Sequence, residues 1–91
     1  MTAAERIARI RRHIEEHMHP VSIDIEDDSA SHVGHPGARE GGHFRVTLVA
    51  AEFRGLAAIE RHRLVYGAVA ELMGSDIHAL NIVARTPEES S

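Results

Sequence analysis

The chain of 91 residues holds eight histidines and no cysteine. Imidazole titrates near neutral pH and is a common metal ligand, so nitrogen ligation and proton transfer are the chemistries to look for. The stretch from Phe53 to His78 concentrates the question. It carries a turn at Phe53-Arg54-Gly55, an Arg61-His62-Arg63 triplet within an apolar helical pattern, and His78 at the opening of a strand. His32 and His35 lie upstream, in the run Ser-His-Val-Gly-His-Pro-Gly. With no thiolate available, a metal must be held by His, Asp or Glu, or by ligands of a partner.

Each histidine has a plain reading beside the chemical one. By alternation His78 shares a face with Leu80 and Ile82, where it is either a ligand or a rim histidine donating to a backbone carbonyl. His32 and His35 are either ligands or solvated loop residues. His62 precedes Val65 and Tyr66 by three and four residues, so it rides the buried helical face as a packed, hydrogen-bonded side chain. His13 and His17 have chelating i,i+4 spacing on the polar side of a helix, but no carboxylate or Cys completes a set. His43 reads as an edge residue. Arg54, Arg61 and Arg63 form either a local basic patch or a solvated face. Asp24, Glu26 and Asp27 are explained as the wet side of a strand. No nucleophile elbow, phosphate loop or dinucleotide fingerprint occurs, and enzymatic activity is not expected.

The elements that position these residues follow from periodicity. Thr2-Ala3-Ala4-Glu5 is a capping box, and Ile7, Ile10, Ile14 and Met18 recur at helical spacing until Pro20. Val21 to Glu26 alternates as a half-buried strand. Residues 27–42 form a long Ser/Gly/Asp/His-rich loop, of a length usually reserved for function or mobility. Phe44, Val46, Leu48 and Ala50 then alternate with polar or smaller neighbours, giving a strand that pairs with the first as a hairpin. A short helical turn is expected over Leu56–Glu60. A helix follows with Val65, Tyr66, Val69, Leu72 and Met73 on one face, ended by a left-handed Gly74. Ile77 to Ala84 is the third strand. The order α-β-β-α-α-β implies an α+β layer, a three-stranded sheet with helices packed on one face.

Composition sets bounds. The length suits one domain, placed at residues 1–85 with a flexible polar tail at 86–91. The formal charge of −4 disfavours global attraction to nucleic acid or anionic membrane. No apolar run approaches the ~20 residues of a membrane span. The N-terminal residues lack a signal-peptide pattern, the absence of Cys fits an intracellular protein, and the expected location is cytoplasmic.

Up to about Arg85 the chain resembles the BolA family. The resemblance is carried by Phe53, Gly55, Arg61-His62-Arg63, Val65-Tyr66, Ala70-Glu71-Leu72 and Ile77-His78-Ala79-Leu80, together with Asp27-Asp28-Ser29 and His43-Phe44-Arg45-Val46. It implies a class II KH-like fold. It also implies partnership with a monothiol glutaredoxin and a [2Fe–2S] cluster shared with that partner and its glutathione, in iron–sulfur trafficking or iron homeostasis. Without Cys the chain fits the family's histidine branch. The implied cluster ligands are His78 and a loop histidine, His32 or His35. The isolated chain is expected to be a cofactor-free monomer that dimerises with a cluster.

Bacterial members are also described as DNA-binding transcriptional regulators of stress response and morphology. That role would fall here on Arg54, Arg61 and Arg63. The KH-type GXXG clamp is missing from Gly55-Leu-Ala-Ala-Ile-Glu, and two Phe and one Tyr offer little stacking surface.

Overall fold

A computed structural model describes residues 2–28 and 42–91. Helix α1 (Ala3–His17) opens as the capping box requires, with Thr2 Oγ1 accepting from Glu5 N and Glu5 Oε1 accepting from Thr2 N. Its inner stripe buries Ile10 and Ile14 completely, and Met18 just beyond its end is also buried. Strand β1 (Ser22–Asp27) and strand β2 (Gly42–Val49) pair antiparallel as the expected hairpin, with Ile25 opposite Val46. Strand β3 (Ile77–Arg85) adds to β2 in parallel, so the sheet order is β1-β2-β3 and β2 is central.

A parallel return needs a long crossover. Here it runs through a 3₁₀ turn at Ala51–Phe53, helix α2 (Ala58–Ala68) and a second 3₁₀ turn at Ala70–Leu72. Counted with these turns, the order fits α-β-β-α-α-β and the class is α+β. The short turn expected over Leu56–Glu60 is displaced: Glu60 Oε1 accepts from Ala57 N, which starts α2 at Ala58. The later helix also stops before Gly74, at Ala68, and the chain tightens into 3₁₀ geometry. Gly74 still adopts the expected positive φ of 86°.

The core lies between the sheet and the helices. Val46 and Leu48 from β2 meet Ile10 and Ile14 from α1, Val65 from α2, and Phe53, Val69 and Leu72 from the crossover. Burying a side chain of this size contributes about 1.5–3 kcal/mol, which sets the phase of each strand and helix.

Within the segment read as tail, Thr86 caps a short helix, α3 (Pro87–Ser90). Its carboxylates reach back to the crossover. Glu88 receives Arg54 Nε at 2.8 Å, and Glu89 receives Arg61 Nη1 at 2.6 Å.

Candidate metal site at the sheet end

The bulge between β2 and β3 decides where His78 points. Gly42 pairs with Ile77 but His43 pairs with Ala79, so His78 is an extra residue in β3. An inserted residue breaks the alternation and re-aims its side chain. Ile77, Leu80 and Ile82 stay buried while His78 is exposed. The expectation that His78 shares a face with Leu80 and Ile82 is therefore corrected by the bulge.

The insertion brings His78 against His43. Their ring centroids are 5.2 Å apart and the planes are tilted by 52°. His43 is not an edge residue, since it lies on the central strand and is half-buried. The neighbour of His78 at this end of the sheet is thus His43, whose direction the sequence already carries. Its signal was present: Phe44 points into the core, so its neighbour must face the other side of the sheet.

Three further contacts fix this end of the sheet. Gly42 N donates to Asp76 O at 3.1 Å, and Asp28 N donates to His43 O at 2.6 Å. Asp76 also takes Arg9 Nε from α1, and its side chain is only 12% exposed. Gly42 itself lies under the Phe44 ring, 2.3 Å from where a Cβ would fall. A cleft of about 320 Å³ lined by Asp28, His43, Phe44, Ala79, Leu80 and Asn81 opens beside His43.

His32 and His35 lie outside the described residues. The two ends of the segment that carries them, Asp28 and Gly42, both flank the His43–His78 pair.

The other histidines take different parts. His62 is exposed, not packed. The inward stripe of α2 runs through Arg61, Val65 and Ala68, and His62 is one residue, about 100°, around from it. Arg61 takes the inward place, 15% exposed, donating to Leu56 O and Ala84 O as well as Glu89. Tyr66 is half out of the core, its hydroxyl donating to Leu80 O at 2.9 Å. On α1, His13 Nδ1 donates to Arg9 O and His17 Nδ1 to His13 O, a ladder of helix-backbone bonds. His13 Nε2 is 3.8 Å from Glu71 Oε2.

The basic patch is largely neutralised. Arg54 holds Glu88 and Arg61 holds Glu89. Among the described residues Arg63 alone of the three forms no ion pair. No helix among these residues is long and apolar enough to cross a membrane.

The family profile described as BolA-like protein matches residues 14–89. The chain belongs to the BolA family. It is 43% identical over 82 residues to human BolA-like protein 1, covering 90% of this chain and 58% of the relative, so it spans under two thirds of that protein's length. It is 31% identical over 80 residues to the DNA-binding transcriptional regulator BolA of Haemophilus influenzae, covering 88% of this chain and 76% of the relative. The solved BolA domain of SufE1 from Arabidopsis thaliana superposes with a TM-score of 0.81 at 39% identity, covering 98% of each chain. The BolA features traced above, the Arg61-His62-Arg63 helix and the Ile77-His78 strand opening, lie within the matched span.

A [2Fe–2S] cluster, the group that the sequence resemblance implies, needs four protein or thiol ligands, and imidazole replaces thiolate on one iron in known centres. Among the described residues no group of three or more His, Asp or Glu side chains converges on a metal, so this donor set could serve such a cluster only by supplying single ligands. It offers an exposed imidazole on a fixed strand and no thiolate of its own.

Proposed function

We propose that this BolA-family chain is an adaptor, not an enzyme, that binds a monothiol glutaredoxin and shares a [2Fe–2S] cluster with it through histidine. The observation that supports the reading best is the bulge, which turns His78 outward where the segment bearing His32 and His35 begins and ends. In this reading His78 is the strand ligand and His32 or His35 the second. The partner's cysteine and its glutathione supply the thiolates that the chain lacks.

When bound, such a cluster supplies a redox centre whose potential is raised by imidazole ligation. The chain's own work is to hold His78 in place. Asp76, clamped by Arg9, anchors the turn before it, and the β2 ladder fixes the strand after it. Because imidazole must be neutral to ligate, acid should release the group.

Size-exclusion chromatography of the chain with cluster-loaded glutaredoxin tests the partnership. A heterodimer that carries the visible chromophore is expected; two separate peaks, with the chromophore left on the glutaredoxin, would count against it.

The Haemophilus relative's name favours a second reading, DNA binding by Arg54, Arg61 and Arg63. The geometry speaks against it, since two of the three guanidinium groups already hold carboxylates. Phosphate contacts would give a steep fall of affinity with salt. No binding of duplex DNA at low salt would remove this reading.

A further inference from the structure

We propose that the outward face of α2 pairs with the same face of a second copy of this chain, the two helices running antiparallel.

The face is apolar beyond what a solvated helix needs. Four large apolar side chains are exposed among the described residues, and three of them, Ile59, Leu64 and Tyr66, belong to α2. Exposed apolar side chains scattered singly are ordinary. Three on one helix of 11 residues form a patch, and half-buried Leu56 extends it just ahead of the helix. Leu56, Glu60, Arg63 and Leu64 border one shallow depression of about 410 Å³.

Gly67 has no purpose within one copy. It is exposed inside α2, it does not have the positive φ of Gly55 and Gly74, and a Cβ there would meet nothing within 4 Å. Gly weakens a helix relative to Ala. What it gives in return is room for another chain to come close.

Charge and spacing identify that other chain. Glu60, Arg63 and Gly67 follow one another by three and four residues, so they form one row, turned away from buried Val65 and Ala68. Arg63 forms no ion pair among the described residues. Glu60 accepts from Ala57 N through Oε1, and its other oxygen is available to a guanidinium. A twofold axis crossing α2 midway between Glu60 and Arg63 sets Glu60 of each copy opposite Arg63 of the other. The same axis brings Leu56 of each copy to Gly67 of the other, because those two positions are equally far from it. The face is thus self-complementary, as a twofold contact requires. A partner surface of one sign would satisfy only one of Glu60 and Arg63. Three turns of helix make a small contact of the weak, transient class, so the pairing belongs to high protein concentration.

The test follows the whole chain alone by ¹H–¹⁵N amide spectra and translational diffusion as its concentration is raised to about 1 mM, the range of weak association. Amide shifts of residues 56–67 should move with concentration while diffusion slows toward that of a dimer. Arg63→Glu and Glu60→Arg each set like charges together twice in the dimer, and each should weaken association by roughly tenfold. An equimolar mixture of the two variants restores both opposite-charge pairs and should associate as the wild type does. Gly67→Ala should raise the denaturation midpoint yet weaken association, a combination that a role within one copy does not produce.

Spectra and diffusion unchanged up to that concentration, shifts confined to β1 or β3, a mixture that associates no better than either variant alone, or an association indifferent to Gly67→Ala would overturn the pairing. The wild-type series decides this even if Glu60→Arg, which also gives up the bond to Ala57 N, fails to fold. Neither glutaredoxin nor iron enters the experiment, so the adaptor reading stands or falls separately.

Discussion

The rings of His43 and His78 come within 5.2 Å of each other although 35 positions separate them in sequence, because β2 and β3 run parallel with one extra residue let into β3. The relationship depends on small features at the sheet end, and each can be tested.

Gly42 is the first. A methyl group there would fall 2.3 Å from the Phe44 ring, which is 2% exposed and cannot swing into solvent. Overpacking of this kind costs about 1–3 kcal/mol. Gly42→Ala should lower the chemical denaturation midpoint accordingly and shift the NMR resonances of His43 and His78. An unchanged midpoint would mean that the ring has room to move.

Asp76 is the second. Its carboxylate takes Arg9 from α1, and its carbonyl takes Gly42 N. Asp76→Ala removes only the side-chain contact. Because Arg9 is more than a third exposed, the stability loss should be modest, about 1 kcal/mol. The turn before His78 should loosen more visibly, with faster amide exchange at Ile77 and His78 than at Val46.

The docking of α3 should depend on pH. Arg61 holds the Glu89 carboxyl down to about 2 from an ordinary 4.5, and Arg54 holds Glu88 below its usual range. Both groups bind protons less readily folded than unfolded. Their contribution is therefore fully present above pH 4.5 and is lost as pH falls toward about 2. Amide shifts of Thr86 to Ser90 followed through that window should show the turn release, and Glu89→Gln should remove the greater part of the transition. A turn unmoved at pH 2 would contradict the ion-pair account.

Much of this fold was legible in sequence because its signals are local. The Thr2/Glu5 box, the Ile10–Ile14 stripe and the Phe44–Val46–Leu48 alternation each depend on a few neighbouring residues, and each is realised. The candidate site was legible only in part. His78 could be singled out, but its direction is set by the register between β3 and β2, which strict alternation cannot express. The contact between His43 and His78 is hidden from the local pattern for the same reason, since it comes from a strand that returns beside His43 after a crossover of nearly thirty residues. His62 lies one residue of helix phase away from the buried stripe that the local pattern assigns to it. The long Arg61 stem fills the inward position and meets carbonyls from Leu56 and Ala84, partners that the local pattern does not reveal.

The central claim is that His78 ligates a cluster shared with a monothiol glutaredoxin. Visible circular dichroism of cluster-loaded glutaredoxin, recorded before and after addition of this chain, tests it most directly. A new spectrum is predicted with the wild-type chain, and its loss with His78→Ala in combination with His32→Ala. A spectrum unchanged by the wild-type chain, or a change that survives both substitutions, would contradict it.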